Sequence, residues 1–153
     1  MGVIGHFSDE TTLAAQDEYH QAGLALITPV AANEVTERNY PEVFRLYARN
    51  DVLGAEAARY VVEALGLHRL AVLRGHDDLA DAFAQTAERL GATVVLNADL
   101  TQHATRNTFH VSRFTSADLI FFSGGAVEGA ELIVQARQAG IAANFMGGSG
   151  FDS

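Results

Sequence analysis

The chain lacks cysteine, lysine and tryptophan altogether and has only two prolines in 153 residues. Without cysteine there is no disulfide, no thiolate metal site and no cysteine nucleophile. The absence does not indicate whether the protein works in an oxidising or a reducing compartment. Without lysine the glycine-rich turns cannot form a P-loop, which needs that residue. A net charge of −9 argues against nucleic acid as a partner, because phosphates call for a basic surface.

Long apolar runs are also missing, since none reaches the roughly 18 residues of a membrane span. The start, MGVIGHFSDE, has no basic segment followed by a long apolar one, so no signal peptide is visible and a cytoplasmic location stays open. The chain is nevertheless 48% apolar, which is enough for a packed core of single-domain size.

Four amphipathic stretches end in a glycine and are followed by a short apolar run, at Gly23, Gly66, Gly91 and Gly140. Glycine closes a helix in the left-handed conformation, and apolar runs with branched residues are typical of strands covered on both faces. This alternation predicts an α/β fold with a flavodoxin-like, doubly wound parallel sheet from about residue 51. The predicted strands lie near 3–7, 24–28, 43–47, 69–73, 93–96, 119–122 and 143–146, with a polar loop over 30–42.

Residues with recognisable chemistry are scarce. The histidines show no i, i+4 metal pair, and no catalytic set, metal site or cofactor motif stands out. His76 follows a predicted strand end, where ligands bind in such folds, but the adjacent Asp77 also suits a helix cap. Ser123-Gly124-Gly125 and the glycine-rich turn 147–150 suit either phosphate binding or a tight turn with close backbone approach. The residues alone therefore predict a binding fold with its ligand at the strand ends.

Several segments resemble a known family. VIGHFSDETT, GLALITPVAANEVTERNYPEVFRLYARND and LGAEAARYVVEALG carry the likeness in the first part, and LAVLRGHDDLADAFAQTAERLGATVV, ADLIFFSGG and QARQAGIAANFMGGSG continue it. The chain resembles the type I periplasmic binding proteins, in the leucine/isoleucine/valine-binding branch of ABC-transporter receptors. VIGH, ITP and the VFR…ND segment give the most specific match.

The resemblance implies a periplasmic-binding-protein-like I fold in an incomplete two-lobe arrangement, because family members are longer. Residues 1–50 would be part of lobe 1, with Asn50-Asp51 the first hinge crossing, and residues 51–153 most of lobe 2. Such a chain is expected either as a portion of a longer receptor or as a short derivative that pairs with another copy. The family also implies a periplasmic or extracellular location and, for a full receptor, a membrane permease as partner.

The family holds its amino-acid ligand mainly with two lobe 1 loops. These correspond here to a first loop, Ser8-Asp9-Glu10, and a second, Ala31-Ala32-Asn33. In lobe 2 the family contacts fall near Gly125 and Ser149, and His76 is a further candidate because it follows a predicted strand end. Several positions depart from the family pattern, with Asp9 in place of serine, Ala32 in place of threonine, and Leu79 in place of tyrosine. An aspartate repels a ligand carboxylate and Ala32 lacks a hydroxyl, so we expect weak binding of branched-chain amino acids.

The leading prediction is a non-catalytic solute-binding receptor domain related to branched-chain amino-acid ABC transport, with a small amino-acid-like ligand. One alternative is an α/β enzyme domain that binds a cofactor or nucleotide, and another is an oligomerising remnant without a ligand. We also predict a homo-oligomer, because missing lobe 1 strands would leave strand edges and apolar faces uncovered.

Overall fold

The computed structural model describes residues 1–75, 78–99 and 111–148, which fall into two compact units, Met1–Val52 and Leu53–Ser153. Each unit has its own parallel sheet. None of the helices that these residues form has the length and apolar character needed to cross a membrane.

The first unit contains a sheet in the order β1-β2-β3, with every pair parallel. Its elements are β1 (Gly2–Ile4), α1 (Asp9–Gln21), β2 (Ala25–Thr28), α2 (Glu34–Glu37) and β3 (Val43–Arg45). The short helix α2 lies inside the segment that the sequence predicts as loop, so that part of the prediction was wrong. A single helical turn has too few residues to show a periodic apolar pattern.

One face of this sheet is covered and the other is open. Leu26 of β2 is fully buried, and the half-buried Val43 beside it packs with Val35 of α2. On the opposite face Ile4 and Phe44 stand in register on either side of β2, with 86% and 53% of their surface exposed. The first unit therefore presents an apolar sheet face to solvent.

The second unit has the strand order β5-β4-β6-β7, again with every pair parallel. A helix that begins in the first unit, α3 (Asn50–Arg59), leads into it and continues as a π-helical segment, Tyr60–Ala64. The further elements are β4 (Arg69–Arg74), α4 (Leu79–Arg89), β5 (Thr93–Asp99), a short 3-10 helix (Val111–Phe114), β6 (Leu119–Phe122), α5 (Ala126–Gln138) and β7 (Asn144–Gly147). This topology confirms the predicted parallel doubly wound sheet.

The second sheet is covered on both faces, as its apolar strands predict. The four residues of β6 are all buried, and Phe121 joins a core cluster with α4 in which its ring stacks on Phe83 at 3.9 Å between centroids. Phe122, on the opposite face, packs with Leu132 of α5. The helix-closing glycines also behave as predicted; Gly91, for example, has a φ of +88°, a conformation that residues with a Cβ rarely adopt.

Candidate functional site

The first candidate loop follows β1 and is fixed by the start of α1. Ser8 is the N-cap of that helix, and its Oγ accepts a hydrogen bond from the Thr11 N–H at 3.3 Å. The Thr12 hydroxyl donates to the Ser8 carbonyl at 2.9 Å and lies 3.4 Å from the Thr28 hydroxyl at the end of β2. Ser8 is thus a structural cap, and the loop that carries it is tied to the carboxyl end of the sheet.

Asp9, the first residue of α1, reaches the second candidate loop. Its Oδ1 accepts hydrogen bonds from the backbone N–H groups of Ala31 and Ala32, at 3.0 and 2.9 Å. Asp9 and Ala31 are half-buried, and Ala32 is buried. The sequence predicted that these residues face a common ligand, whereas in the structure the two loops also bind each other directly.

Asn33 closes the second loop and contacts the first turn of α3. Its side chain is buried, and its Oδ1 accepts a hydrogen bond from the Asp51 N–H at 3.3 Å. The Asn50 N–H donates to the Ala31 carbonyl at 2.9 Å. The loop 31–33 is therefore held on one side by Asp9 and on the other by Asn50 and Asp51.

Arg45, at the end of β3, is a residue that the sequence reasoning missed. Its Nη1 donates to the Val30 carbonyl at 3.2 Å and its Nη2 to the Thr36 hydroxyl at 2.8 Å, so it binds the residue before the second loop and the helix α2 that follows it. Burial lowers the pKa of the guanidinium, and Asp9 is among the carboxylates that oppose this effect. An arginine directly after two apolar residues in the strand VFR was the signal in the sequence.

The predicted lobe 2 positions are described only in part. Gly125 is the exposed N-cap residue of α5 in the second unit, while His76 and Ser149 lie outside the described residues. Leu79, where the resemblance implies a tyrosine, is buried in the core of the second unit. The structure thus brings together the first-unit residues Ser8, Asp9, Ala31, Ala32 and Asn33.

The turn Ser123-Gly124-Gly125 is explained by close packing. The buried Ser123 Oγ accepts a hydrogen bond from the Gly75 N–H at 2.9 Å. A Cβ added to Gly75 would lie 2.0 Å from the Ser123 carbonyl oxygen, and one on Gly124 would lie 2.2 Å from the Phe122 ring. These contacts require glycine whether or not a ligand is present, which favours the tight-turn interpretation over a phosphate site.

Among the described residues no group of three or more histidine, aspartate or glutamate side chains is placed to hold a metal ion.

The sequence and the fold correspond to one family of proteins. The family model of the periplasmic binding proteins matches residues 1–153, and the chain belongs to this family. An amino acid binding protein of Pseudomonas aeruginosa is 34% identical over 98% of this chain and 42% of its own length. The Leu/Ile/Val-binding protein of Escherichia coli K12 is 29% identical over 97% of this chain and 42% of its own length.

A solved structure shows the same architecture. An ABC transporter substrate-binding protein from Desulfitobacterium hafniense, in complex with Leu, matches 99% of this chain and 47% of its own with a TM-score of 0.81 and 26% identity. The chain therefore spans less than half the length of these relatives.

Proposed function

We propose that this chain is a solute-binding receptor domain related to branched-chain amino-acid ABC transport and has no catalytic role. The observation that carries the proposal is the pair of loops joined by Asp9, Ala31 and Ala32 at the carboxyl end of a parallel sheet. Ligands of open α/β sheets bind at that edge. The names of the relatives, an amino acid binding protein and a Leu/Ile/Val-binding protein, support a small amino-acid-like ligand.

The same family membership supports further assignments, which we propose here. We assign residues 1–50 to part of lobe 1 and residues 51–153 to most of lobe 2. We also assign a periplasmic or extracellular location and, for a full receptor, a membrane permease as partner.

The open sheet face with Ile4 and Phe44 supports a homo-oligomer, because exposed apolar faces of this kind favour association.

The enzyme alternative has less support. The glycines around Ser123 are explained by packing, and the family to which the chain belongs consists of binding proteins. The enzyme alternative predicts that a phosphate-bearing cofactor binds at Ser123–Gly125, and the receptor proposal does not.

Ligand titrations followed by amide NMR test the proposal. The panel is leucine, isoleucine, valine and their carboxamides, and at least one of them should shift the amide resonances of Ala31, Ala32 and Asn33. Ala31→Glu should abolish the response because it places bulk and charge in the loop. Ala22→Glu, at the exposed carboxyl end of α1, should retain it. The proposal fails if nothing in the panel acts on this loop, and shifts at Gly124 and Gly125 with a nucleotide would favour the enzyme.

A further inference from the structure

The loop 31–32 offers two successive backbone N–H groups that converge on one oxygen. Successive backbone N–H groups in turns form concavities that bind anions. Here the bound anion is part of the chain, because Asp9 Oδ1 accepts from Ala31 at 3.0 Å and from Ala32 at 2.9 Å. The two N–H groups lie just beyond β2, and Asp9 lies beyond the neighbouring strand β1. An internal carboxylate thus already occupies an anion site at the ligand-binding edge of the sheet.

We propose that Asp9 determines specificity by closing this site to ligands with a free carboxylate. The ligand class that remains is a small apolar solute with an amine or amide as its polar group, such as an amino-acid carboxamide. This inference rests on the proposed function, in that it requires a solute to bind between the two first-unit loops.

Two physical effects favour Asp9 over an external carboxylate. The side chain is tethered to the fold, so it competes at an effective concentration on the order of millimolar or higher, and it has less freedom to lose on binding. A ligand carboxylate that entered beside it would also meet a like charge in a half-buried setting, where solvent screening is reduced.

The same arrangement favours a donor group on the ligand. An amine or amide N–H can donate to the Asp9 carboxylate while the Ala31 and Ala32 contacts stay in place. A hydrogen bond to an ionised acceptor is stronger than one between neutral groups. Replacing a ligand carboxylate by a carboxamide therefore removes a repulsion and adds a donor.

A direct test uses acetate as the probe and the 153-residue chain as it stands. Asp9→Ser removes the internal carboxylate, and Asp9→Asn keeps an acceptor of the same shape without the charge. Glu10→Ser is the control, because it removes one negative charge from the adjacent exposed position in the same helical turn. Amide NMR at constant ionic strength, adjusted with sodium chloride, reports on Ala31 and Ala32.

Acetate should shift these two resonances saturably in Asp9→Ser, with an affinity at least about tenfold above that of the wild type, or about 1.4 kcal/mol. Glu10→Ser should behave as the wild type does. If the amide spectrum shows that Asp9→Ser does not fold, the acetate titration of Asp9→Asn is used instead. Its side chain is a neutral acceptor, so acetate should displace it from the Ala31 and Ala32 N–H groups more readily than it displaces the Asp9 carboxylate. Equal acetate responses in the wild type and the folded Asp9 variants would overturn the inference.

A second measurement separates this inference from the proposed function. Calorimetric titrations compare leucine, leucinamide and 4-methylpentanoate in the wild type and in Asp9→Ser. The wild type should prefer leucinamide to leucine by at least about tenfold, and the variant should lose or reverse that preference. Equal affinities of the wild type for leucine and leucinamide would contradict the role of Asp9 in specificity, but they would still support the proposed function as a solute receptor. If no ligand binds either protein but acetate acts as expected, the proposed function fails and with it the role of Asp9 in ligand specificity, whereas the occupation of the anion site by Asp9 is confirmed.

Discussion

Asp118 and Arg69 bind each other reciprocally where β4 and β6 begin. The Asp118 N–H donates to the Arg69 carbonyl at 2.7 Å, and the Arg69 N–H donates to Asp118 Oδ2 at 2.9 Å. The same carboxylate oxygen also accepts from the His68 N–H at 3.3 Å. These contacts precede the register pair Leu70 and Leu119, and so they align the two central strands of the second unit.

Replacing Asp118 should therefore loosen the start of this sheet. We expect Asp118→Ala to lower the free energy of unfolding by about 1–2 kcal/mol, because hydrogen bonds to a charged acceptor are lost at a partly exposed position. Asp118→Asn retains an acceptor and should lose less. Urea denaturation measures the stability, and hydrogen exchange of the Arg69 amide reports the local effect. Equal stability of Asp118→Ala and the wild type would refute this role.

Gly54 in α3 packs against the start of α4. A Cβ at this position would lie 2.3 Å from the Leu79 carbonyl oxygen and 2.9 Å from the Phe83 nitrogen. Gly54→Ala should destabilise the second unit by about 1–3 kcal/mol through overpacking, although alanine is the better helix former. Glu56→Ala, at an exposed position of the same helix, should stay within about 0.5 kcal/mol of the wild type. Thermal unfolding followed by circular dichroism compares the stabilities of the two variants with that of the wild type. A stabilised Gly54→Ala variant would contradict the close approach of Gly54 to the backbone of Leu79 and Phe83.

The ion pair between Asp51 and Arg49 makes the first unit sensitive to acid. Hydrogen bonds from Arg49, at 3.1 and 2.9 Å, hold the pKa of the Asp51 carboxyl below its ordinary value of 3.8. A carboxyl with a lowered folded pKa contributes stability that is present above pH 3.8 and is lost as the pH falls through the folded pKa. Asp51→Asn should therefore flatten the decline in melting temperature over that window.

Arg49→Gln is the matched variant, because it removes the partner and leaves the carboxyl in place. It should flatten the same part of the profile, and the double variant should add little to either single change. Additive effects of the two substitutions would mean that Asp51 and Arg49 act independently.

Leucine, isoleucine and valine should bind this chain weakly. Asp9 already takes the N–H groups of Ala31 and Ala32, and Ala32 offers no hydroxyl. A hydrogen bond to a charged group contributes about 1.5–3 kcal/mol, so the loss of two corresponds to about two to four orders of magnitude in affinity. Calorimetry with each amino acid checks this, and a dissociation constant in the low micromolar range or tighter would contradict it.

The open sheet face of the first unit should cause self-association. Ile4 and Phe44 are 86% and 53% exposed on one face of the sheet, and covering apolar surface of this kind is favourable. Light scattering should give a mass above that of the 16.3 kDa monomer, and Ile4→Lys with Phe44→Lys should shift it toward the monomer. Val134→Lys, at an exposed position of α5 in the second unit, serves as the control. A wild type that is monomeric at micromolar concentration with its fold intact would refute the prediction.

Much of the fold could be predicted because its signals are local. The apolar runs of β4 and β6 lie within one or two residues of their expected positions, and Gly23, Gly66, Gly91 and Gly140 all have positive φ angles. Helical period, strand composition and a left-handed glycine are each set by neighbouring residues. The short helix α2 escaped prediction because its four residues carry no such period.

The site was only partly predictable, since its decisive contacts join residues far apart in sequence. The sequence indicated the two loops, and with the family resemblance it indicated that Asp9 would oppose a ligand carboxylate. It did not indicate that Asp9 would bind Ala31 and Ala32, 22 and 23 residues away, or that Arg45 would hold Val30 and Thr36.

The sequence by itself thus determined the alternation of helices and strands and the parallel sheet, and it predicted the edge of the sheet at which we expect a ligand. Only the tertiary structure decided which donors at that edge are already occupied and which glycines are required by close approach, as at Gly54 and Gly75. The physical reason is that backbone N–H groups and backbone separations carry no signature in the side-chain sequence. Their partners are fixed when the parallel strands come into register and bring the loops after β1 and β2 together.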